Sequence, residues 1–184
     1  MSRKELRLAG SGGQGVILAT VILAEAAIIS GKHTAQSQAY GPEARGGSCK
    51  AETLISDEPI GFTKVQNPTF LMALTQKSLD HYGPEVDENC IVLIDSSLTP
   101  SEDIKAKAVV SLPIIDTARD VVGKLQTANI VAVGCINELL GICDHKSMEK
   151  ATLMHIPRGT ESLNMKALEE GVKLAKSYLE EKRA

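Results

Sequence analysis

A run of six residues near the start of the chain has the spacing of a phosphate-binding glycine turn. The run reads Gly10, Ser11, Gly12, Gly13, Gln14 and Gly15. Its glycines fit the pattern G-x-G-x-x-G, in which a bare backbone approaches a phosphate and the following helix presents free N–H groups and the positive end of its dipole. Three interpretations stay open for the turn: tight packing between strand and helix, binding of a phosphate or another anion, and binding of a dinucleotide.

The residues that follow the turn favour the first two interpretations. A dinucleotide site needs an acidic residue about 20 positions further on, to hold the adenosine ribose. That position falls near Ala35, where Gln36 and Ser37 stand instead, and the nearest acid is Glu43 in a later loop. No Lys-Ser or Lys-Thr pair follows the glycines, so the run is not a Walker A loop.

A second glycine-rich segment, residues 41–47, carries Arg45. Flanking glycines leave a guanidinium fork uncovered, and that fork matches a phosphate or a carboxylate. Loops at the carboxyl ends of strands line the ligand crevice of an open α/β sheet, so this loop is expected beside the glycine turn. The alternative is a solvated hairpin loop in which Arg45 pairs with a glutamate.

The remaining chemical groups form no constellation that could run a full reaction alone. Asp95 ends a buried strand, where it either faces a ligand or caps a turn. The four histidines are scattered, and no Gly-x-Ser-x-Gly nucleophile elbow occurs. No two of the four cysteines have CxxC spacing, so we expect reduced, buried thiols and neither a metal centre nor an iron–sulfur cluster.

Alternating strand and helix patterns surround these residues. Strands are predicted at residues 6–9, 33–40, 48–56, 90–95 and 108–112. Helices are predicted at residues 16–30, 67–82, 115–123, 128–140, 147–154 and 164–182, the last with Asn164 as its N-cap. The almost wholly apolar helix 128–140 is expected to lie buried, against the sheet or against a partner.

The order of these elements predicts an α/β fold: one Rossmann-like, three-layer domain over residues 1–184. Its sheet is expected to be largely parallel. Strands 33–40 and 48–56, joined by the loop of Arg45, form a hairpin-like insertion because no helix lies between them.

Composition excludes several classes of function. The chain has 184 residues, 20 Lys plus Arg, 23 Asp plus Glu and a net charge of −3, which offers no electrostatic case for nucleic acid or an anionic membrane. Aromatic residues are scarce, so stacking platforms for single-stranded nucleic acid are not expected. The sequence shows no signal peptide or membrane-spanning stretch, and a cytoplasmic location is expected.

Three segments together resemble the gamma subunit of 2-oxoacid:ferredoxin oxidoreductases. They are residues 9–16 with 23–27, residues 38–47 with 55–60, and residues 127–129 at the start of the apolar helix. The resemblance covers essentially the whole chain. The form Tyr-Gly-Pro-Glu-Ala-Arg-Gly-Gly at residues 40–47 is most similar to gamma subunits of 2-oxoglutarate enzymes.

The resemblance implies one subunit of an enzyme that decarboxylates a 2-oxoacid on thiamine diphosphate, reduces ferredoxin through iron–sulfur clusters and forms acyl-CoA. Thiamine diphosphate, Mg²⁺ and the clusters are then expected on alpha, beta and ferredoxin-like partner subunits, with this chain serving assembly. Fused relatives suggest contact with coenzyme A, which would carry onto Gly10, Gly12, Gly13, Gln14, Gly15 and Arg45. Their glycine turn bears a lysine that this chain lacks.

Other functions remain open at this stage. The chain could be an autonomous Rossmann-like nucleotide-binding module, or a purely structural subunit whose loops contact only partners. Within the same family, the substrate could also be pyruvate, a branched-chain 2-oxoacid or indolepyruvate.

Overall fold

A computed structural model of the chain describes residues 3–40 and 48–183. Its strands are β1 (Lys4–Ser11), β2 (His33–Tyr40), β3 (Ser48–Ser56), β4 (Phe70–Ala73), β5 (Ile91–Asp95) and β6 (Ala108–Leu112). Its α-helices are α1 (Val16–Ile29), α2 (Gln76–Tyr82), α3 (Ile114–Asp116), α4 (Ala128–Leu140), α5 (His145–His155) and α6 (Glu161–Glu181). Shorter 3₁₀ and π-helical segments are Gly83–Glu85, Thr117–Val122 and Leu125–Thr127.

The six strands form one sheet in the order β2-β3-β1-β4-β5-β6. Strands β1, β4, β5 and β6 run parallel, while β3 is antiparallel to both β1 and β2. The largely parallel sheet and the hairpin of β2 and β3 confirm the predicted α/β fold.

Helical layers cover both faces of the central strands. One face packs Leu6, Leu8, Phe70, Met72 and Leu93 against α1, α4, α5 and α6. The other packs Leu71, Ala73, Val92 and Ile94 against α2 and the segment that follows it. Because the inner strands are buried on both faces, their sequences are continuous apolar runs and do not alternate.

The helix predicted at residues 67–82 was wrong over its first half. Residues 70–73 form β4, whose four side chains are all buried between β1 and β5, and helix α2 begins only at Gln76. A run of four apolar residues fits a buried strand and a helix face equally well, so periodicity could not separate the two. Residues 70–73 form a strand because they pair with β1 on one side and with β5 on the other.

The start of the last helix also differs from its prediction. Thr160 is the N-cap residue of α6, and the helix begins at Glu161, three residues earlier than expected. Asn164 lies inside the helix, where its side-chain amide donates to the Thr160 carbonyl and hydroxyl oxygens, each at 2.9 Å. Asn164 therefore hydrogen-bonds the N-cap residue Thr160 but is not itself the N-cap.

Helix α4 lies buried within the chain, as its apolar sequence predicted. All residues from Asn129 to Asn137 are buried, α4 packs against α6 and α1, and its apolar side chains belong to the same buried cluster as those of the sheet. Two glycines let α4 and α6 touch backbone to backbone: a Cβ at Gly171 would collide with the Val131 carbonyl oxygen, and one at Gly134 with the Leu168 carbonyl oxygen. The Cys135 thiol donates to the Gly171 carbonyl oxygen at 3.2 Å across the same contact.

We expect Gly171→Ala to lower the free energy of unfolding by about 1–3 kcal/mol or more, because the added methyl group meets backbone atoms that cannot rotate away. Chemical denaturation followed by circular dichroism measures the change.

The matched control is Gly61→Ala. Gly61 has open space at its Cβ position and lies outside the left-handed region. This change should leave stability equal or higher by about 0.4–1 kcal/mol, since alanine restricts the unfolded chain. Equal stability of both variants would contradict the close contact of α4 and α6.

Candidate functional site

The glycine turn connects the carboxyl end of β1 to the start of α1. Gly10 and Ser11 are the last residues of β1, where they pair with Cys49 and Ser48 of β3. The carboxyl ends of β4 and β5 lie at the same edge of the sheet, because these strands run parallel to β1. The turn thus stands where open α/β sheets bind their ligands.

Gly10 and Gln14 hold the turn together from inside. The Ser11 backbone N–H donates to the Gln14 side-chain oxygen Oε1 at 2.8 Å, and the Gln14 amide donates to the Leu74 carbonyl oxygen at 3.3 Å. A Cβ at Gly10 would lie 2.5 Å from the same Gln14 Oε1 and 3.0 Å from a methyl group of Val16. The Gln14 side chain therefore hydrogen-bonds the backbone of the turn and the backbone of Leu74, the residue after β4.

Gly15 is the N-cap residue of α1 and adopts a left-handed conformation, with φ 69° and ψ 23°. Its carbonyl oxygen accepts from the Ala19 N–H at 3.0 Å and from the Asn129 side-chain amide at 3.3 Å. A Cβ at this position would collide with the Asn129 side chain. Conformation and packing both require glycine here.

Gly12 and Gly13 form the part of the turn that faces solvent. Both residues are exposed, and a Cβ at Gly13 would have no described heavy atom within 4 Å. No side chain of the described residues caps the first turn of α1, and that turn carries no acidic residue. The N–H groups that a helix leaves unpaired at its start, together with its dipole, make this exposed part suited to an anion.

Arg45 lies outside the described residues, but the two ends of its loop are fixed by strand pairing. Tyr40 and Gly10 both pair with Cys49, and Ser48 pairs with Ser11. Tyr40 and Ser48, the residues on either side of segment 41–47, therefore lie level with the end of β1, where the glycine turn begins.

A cavity of about 260 Å³ lies on the α1 side of the glycine turn. Its described lining residues come from the start of α1, from the segments before and within α4, and from the start of α6; they include Leu18, Thr127, Ile130 and Leu163. Lys124 is the one charged side chain among them. Sequence reasoning missed this cavity, because residues 124–164 meet α1 only in the folded chain.

Asp95 hydrogen-bonds backbone N–H groups of its own chain. Its carboxylate accepts from the Ser97 N–H at 3.0 Å and from the Ile115 N–H at 2.8 Å, and the residue is buried. It joins the end of β5 to the start of α3, which favours the structural interpretation over a ligand contact.

A charged cluster that the sequence did not reveal lies on the opposite sheet face. The Arg7 guanidinium is buried and pairs with Glu52 at 2.8 Å and with Glu85 at 2.6 Å. Lys50 also pairs with Glu52, at 3.2 Å, and Arg7 lies 5.4 Å from the centre of the Tyr82 ring. Two cations and two carboxylates neutralise one another, so the cluster braces β1, β3 and the segment after α2.

All four cysteines are free thiols, and their surroundings make them poor nucleophiles. Burial raises the pKa of Cys90 and of Cys135 to about 12 and that of Cys143 to about 11. Burial also raises the pKa of Cys49. Since the thiolate is the reactive and metal-binding form, these side chains stay protonated at neutral pH.

Within residues 3–40 and 48–183, no group of three or more His, Cys, Asp and Glu side chains could hold a metal ion. The described residues thus offer no set of cysteine ligands for an iron–sulfur cluster.

None of the helices in the described part of the chain combines the length and the apolar composition needed to cross a membrane.

Comparison with known proteins places this fold and this glycine turn in one family. The family model described as pyruvate ferredoxin/flavodoxin oxidoreductase matches residues 5–174. The chain is 43% identical over 177 residues to the 2-oxoglutarate synthase subunit KorC of Methanocaldococcus jannaschii, covering 95% of each chain. It is 36% identical to the ketoisovalerate oxidoreductase subunit VorA of Methanothermobacter thermautotrophicus, covering 95% of this chain and 37% of that one.

A solved structure agrees with the sequence relatives. The gamma subunit of a keto/oxoacid ferredoxin oxidoreductase from Geobacter sulfurreducens superposes with a TM-score of 0.85 at 40% identity, covering 96% of this chain and 98% of that one. The chain therefore belongs to the pyruvate ferredoxin/flavodoxin oxidoreductase family. Within it, the chain is a gamma subunit of a 2-oxoacid:ferredoxin oxidoreductase, as its two loops and its apolar helix suggested.

We expect Gln14→Ala to lower the free energy of unfolding by about 1–3 kcal/mol, because two backbone groups lose their partner. Chemical denaturation measures the loss. Gln76→Ala is the matched control: that glutamine also bonds a backbone N–H and a carbonyl, those of Thr99, but on an exposed surface where water replaces it. An equal loss in both variants would contradict the special role of Gln14 inside the turn.

Proposed function

We propose that this chain is the gamma subunit of a 2-oxoglutarate:ferredoxin oxidoreductase and that its glycine turn takes part in binding coenzyme A. The complex converts the 2-oxoacid and coenzyme A into acyl-CoA and CO₂ while two electrons pass to ferredoxin. This chain supports assembly with alpha, beta and ferredoxin-like subunits. We expect the enzyme to act in the cytoplasm and residues 1–184 of this chain to form a single domain.

The substrate is supported by the extent of the sequence likeness. The relative from Methanocaldococcus jannaschii is named as a 2-oxoglutarate synthase subunit and matches along 95% of its length. The ketoisovalerate subunit matches at 36% identity, which keeps a branched-chain 2-oxoacid as the second candidate.

The coenzyme A contact is supported by the open part of the turn. Gly12 and Gly13 are exposed, and α1 begins with a glycine N-cap and without an acidic residue, so a phosphate meets N–H groups and no opposing charge. The position where an NAD site would hold its ribose carries no acid, and the Gln36 amide there already donates to the Thr20 hydroxyl at 2.8 Å. A phosphate on a ligand other than NAD suits this arrangement.

Arg45 would add the discrimination that backbone N–H groups lack. Tyr40 and Ser48, which stand on either side of this segment, are level with the end of β1, and this placement supports a contact between the Arg45 guanidinium and a phosphate held at Gly12 and Gly13. A charge-assisted hydrogen bond of this kind is worth about 1.5–3 kcal/mol.

In the assembled enzyme, Arg45→Ala is therefore expected to raise the KM for coenzyme A about tenfold to a hundredfold and to leave the KM for the 2-oxoacid little changed. Steady-state kinetics with each substrate varied separately measures both constants. Gly12→Val should act in the same direction by covering the exposed backbone. Gly12 is the better site for this test than Gly13, whose φ of 98° would strain any added side chain.

Arg183→Ala is the matched control. Arg183 is exposed just beyond the far end of α6, about 30 Å along the helix from the end that lines the cavity. Wild-type KM values for coenzyme A in both Arg45→Ala and Gly12→Val would show that the turn has only a structural role and does not bind coenzyme A. A raised KM for the 2-oxoacid alone would place Arg45 near that substrate's path.

A substrate panel tests the proposed reaction. The complex purified with its partner subunits should show its highest kcat/KM with 2-oxoglutarate among 2-oxoglutarate, pyruvate, 2-oxoisovalerate and indolepyruvate. The isolated chain should reduce no viologen dye with any of them, because the described residues offer no set of ligands for a cluster and the sequence has no thiamine diphosphate motif. A preference for 2-oxoisovalerate would favour the branched-chain alternative, and turnover by the isolated chain would contradict its role as a subunit.

A further inference from the structure

We propose that the outer edge of β2 pairs antiparallel with β2 of a second copy of this chain, around a two-fold axis at Ser37. The two six-stranded sheets would then form one continuous sheet of twelve strands. This inference rests on the sheet edge alone and does not depend on the substrate or on coenzyme A.

Strand β2 is the last strand of the sheet on its side. Its eight residues pair without interruption with β3, from His33 opposite Ser56 to Tyr40 opposite Cys49, and no bulge interrupts these eight pairs. On the other side of β2, no described strand takes up the alternate N–H and carbonyl groups of the backbone. Such a row of groups is a template for another strand.

The edge of β2 lacks the features that normally prevent strand addition. Its sequence, His-Thr-Ala-Gln-Ser-Gln-Ala-Tyr, contains no proline and no Asp, Glu, Lys or Arg. The opposite edge strand, β6, is only five residues long and is bounded by Lys107 and Pro113. Short edge strands, lysine and proline are the usual protections, so the two edges of this sheet differ in kind.

Exposure points the same way. None of residues 33–39 is buried, and His33, Gln36, Gln38 and Ala39 are exposed. The neighbouring strand β3, by contrast, buries Ala51, Thr53 and Leu54 completely. The buried core therefore extends as far as β3, and β2 lies at its margin, paired with β3 and in contact with α1.

The sequence of β2 identifies a second copy as the occupant. Residues 35–39 read Ala-Gln-Ser-Gln-Ala, which is the same in both directions around Ser37. In an antiparallel pair with the two-fold axis at Ser37, Ala35 faces Ala39 of the second copy, and Gln36 faces its Gln38. A two-fold interface requires this kind of self-complementarity, whereas a strand from another protein would give no reason for it.

The cross-strand pairs are chemically compatible. The Gln36 amide nitrogen already donates to Thr20, so its oxygen is the group left to accept from the Gln38 amide of the second copy. The two-fold axis makes this contact twice. The alanine pairs on the other face bring no bulk or charge between the strands.

A pair of short strands buries less surface than a standard interface of about 1,600 Å². The dimer is therefore expected to depend on concentration, with monomers at low and dimers at high micromolar chain. Sedimentation of the full chain over that range should show the transition.

Ser37→Cys gives the direct test. Directly opposed residues of an antiparallel pair have Cα atoms about 4.5–5.5 Å apart, within the ~4.4–6.8 Å that a disulfide spans. Mild oxidation of the full-chain variant should give a disulfide-linked dimer. The wild-type chain, with its buried or half-buried cysteines, and Ser177→Cys, on an exposed part of α6, should stay unlinked.

Two double variants test the register. Ala35→Lys with Ala39→Lys places like charges opposite each other and should weaken dimerisation at least tenfold. Ala35→Lys with Ala39→Glu places opposite charges there and should restore it. Melting temperatures of both variants show whether each remains folded.

Three results would overturn the proposal: a wild-type chain that stays monomeric at all concentrations, no cross-link in Ser37→Cys, or equal dimerisation of the two double variants. The same oxidation of the purified complex separates a second copy from another subunit. A cross-link from Cys at position 37 to a different subunit would assign this edge to that partner and would equally refute self-pairing.

Discussion

The passage from β1 into α1 takes only four residues, and two glycines make it possible, Gly10 at the end of β1 and Gly15 at the start of α1. Gly10 makes room for the Gln14 side chain, and Gly15 adopts a left-handed conformation against Asn129. The Asn129 amide donates to the Gly15 carbonyl oxygen, so the first turn of the fold is tied to the start of α4 from more than a hundred residues away. Helix α1 packs in turn against α4 and α5, and α4 packs against α6, so the contact at Gly15 is the first of a series that joins the helices on this face of the sheet.

The same constraint separates two kinds of glycine within one motif. Gly10 and Gly15 are required by packing, and they would be glycines whether or not a ligand binds. Gly12 and Gly13 are exposed, and the reason for glycine at Gly13 is its positive φ of 98° and not a packing contact. The packing interpretation of the turn is therefore compatible with the proposed anion binding, because the residues that pack inside the turn are not the ones that face solvent.

Local signals in the sequence predicted most of the fold. For three parts of the fold the local sequence pattern is enough to predict the structure. They are the strand, glycine turn and helix at the start, the hairpin of β2 and β3, and the apolar helix α4. The strand at residues 70–73 does not, because four apolar residues become a strand only through β1 and β5 on either side. The Arg7 cluster and the cavity beside Lys124 also need partners far along the chain, at Glu85 and at the start of α6. Sequence reasoning thus found the turn but neither the Arg7 cluster nor the cavity, because the residues of each lie far apart in the chain.

The geometry of the sheet keeps the proposed self-pairing and the proposed ligand site apart. Strand β2 runs parallel to β1, so its carboxyl end and the glycine turn lie at the same edge of one copy's sheet. Antiparallel pairing reverses the second copy, which places its turn at the opposite end of the shared sheet. Five strand spacings separate the two β1 strands, about 24 Å across the sheet. With the axis at Ser37, the rows of Tyr40 in the two copies stand about 20 Å apart along the strands. Each copy would therefore hold a separate crevice, and pairing at β2 would join two such subunits without either glycine turn entering the interface.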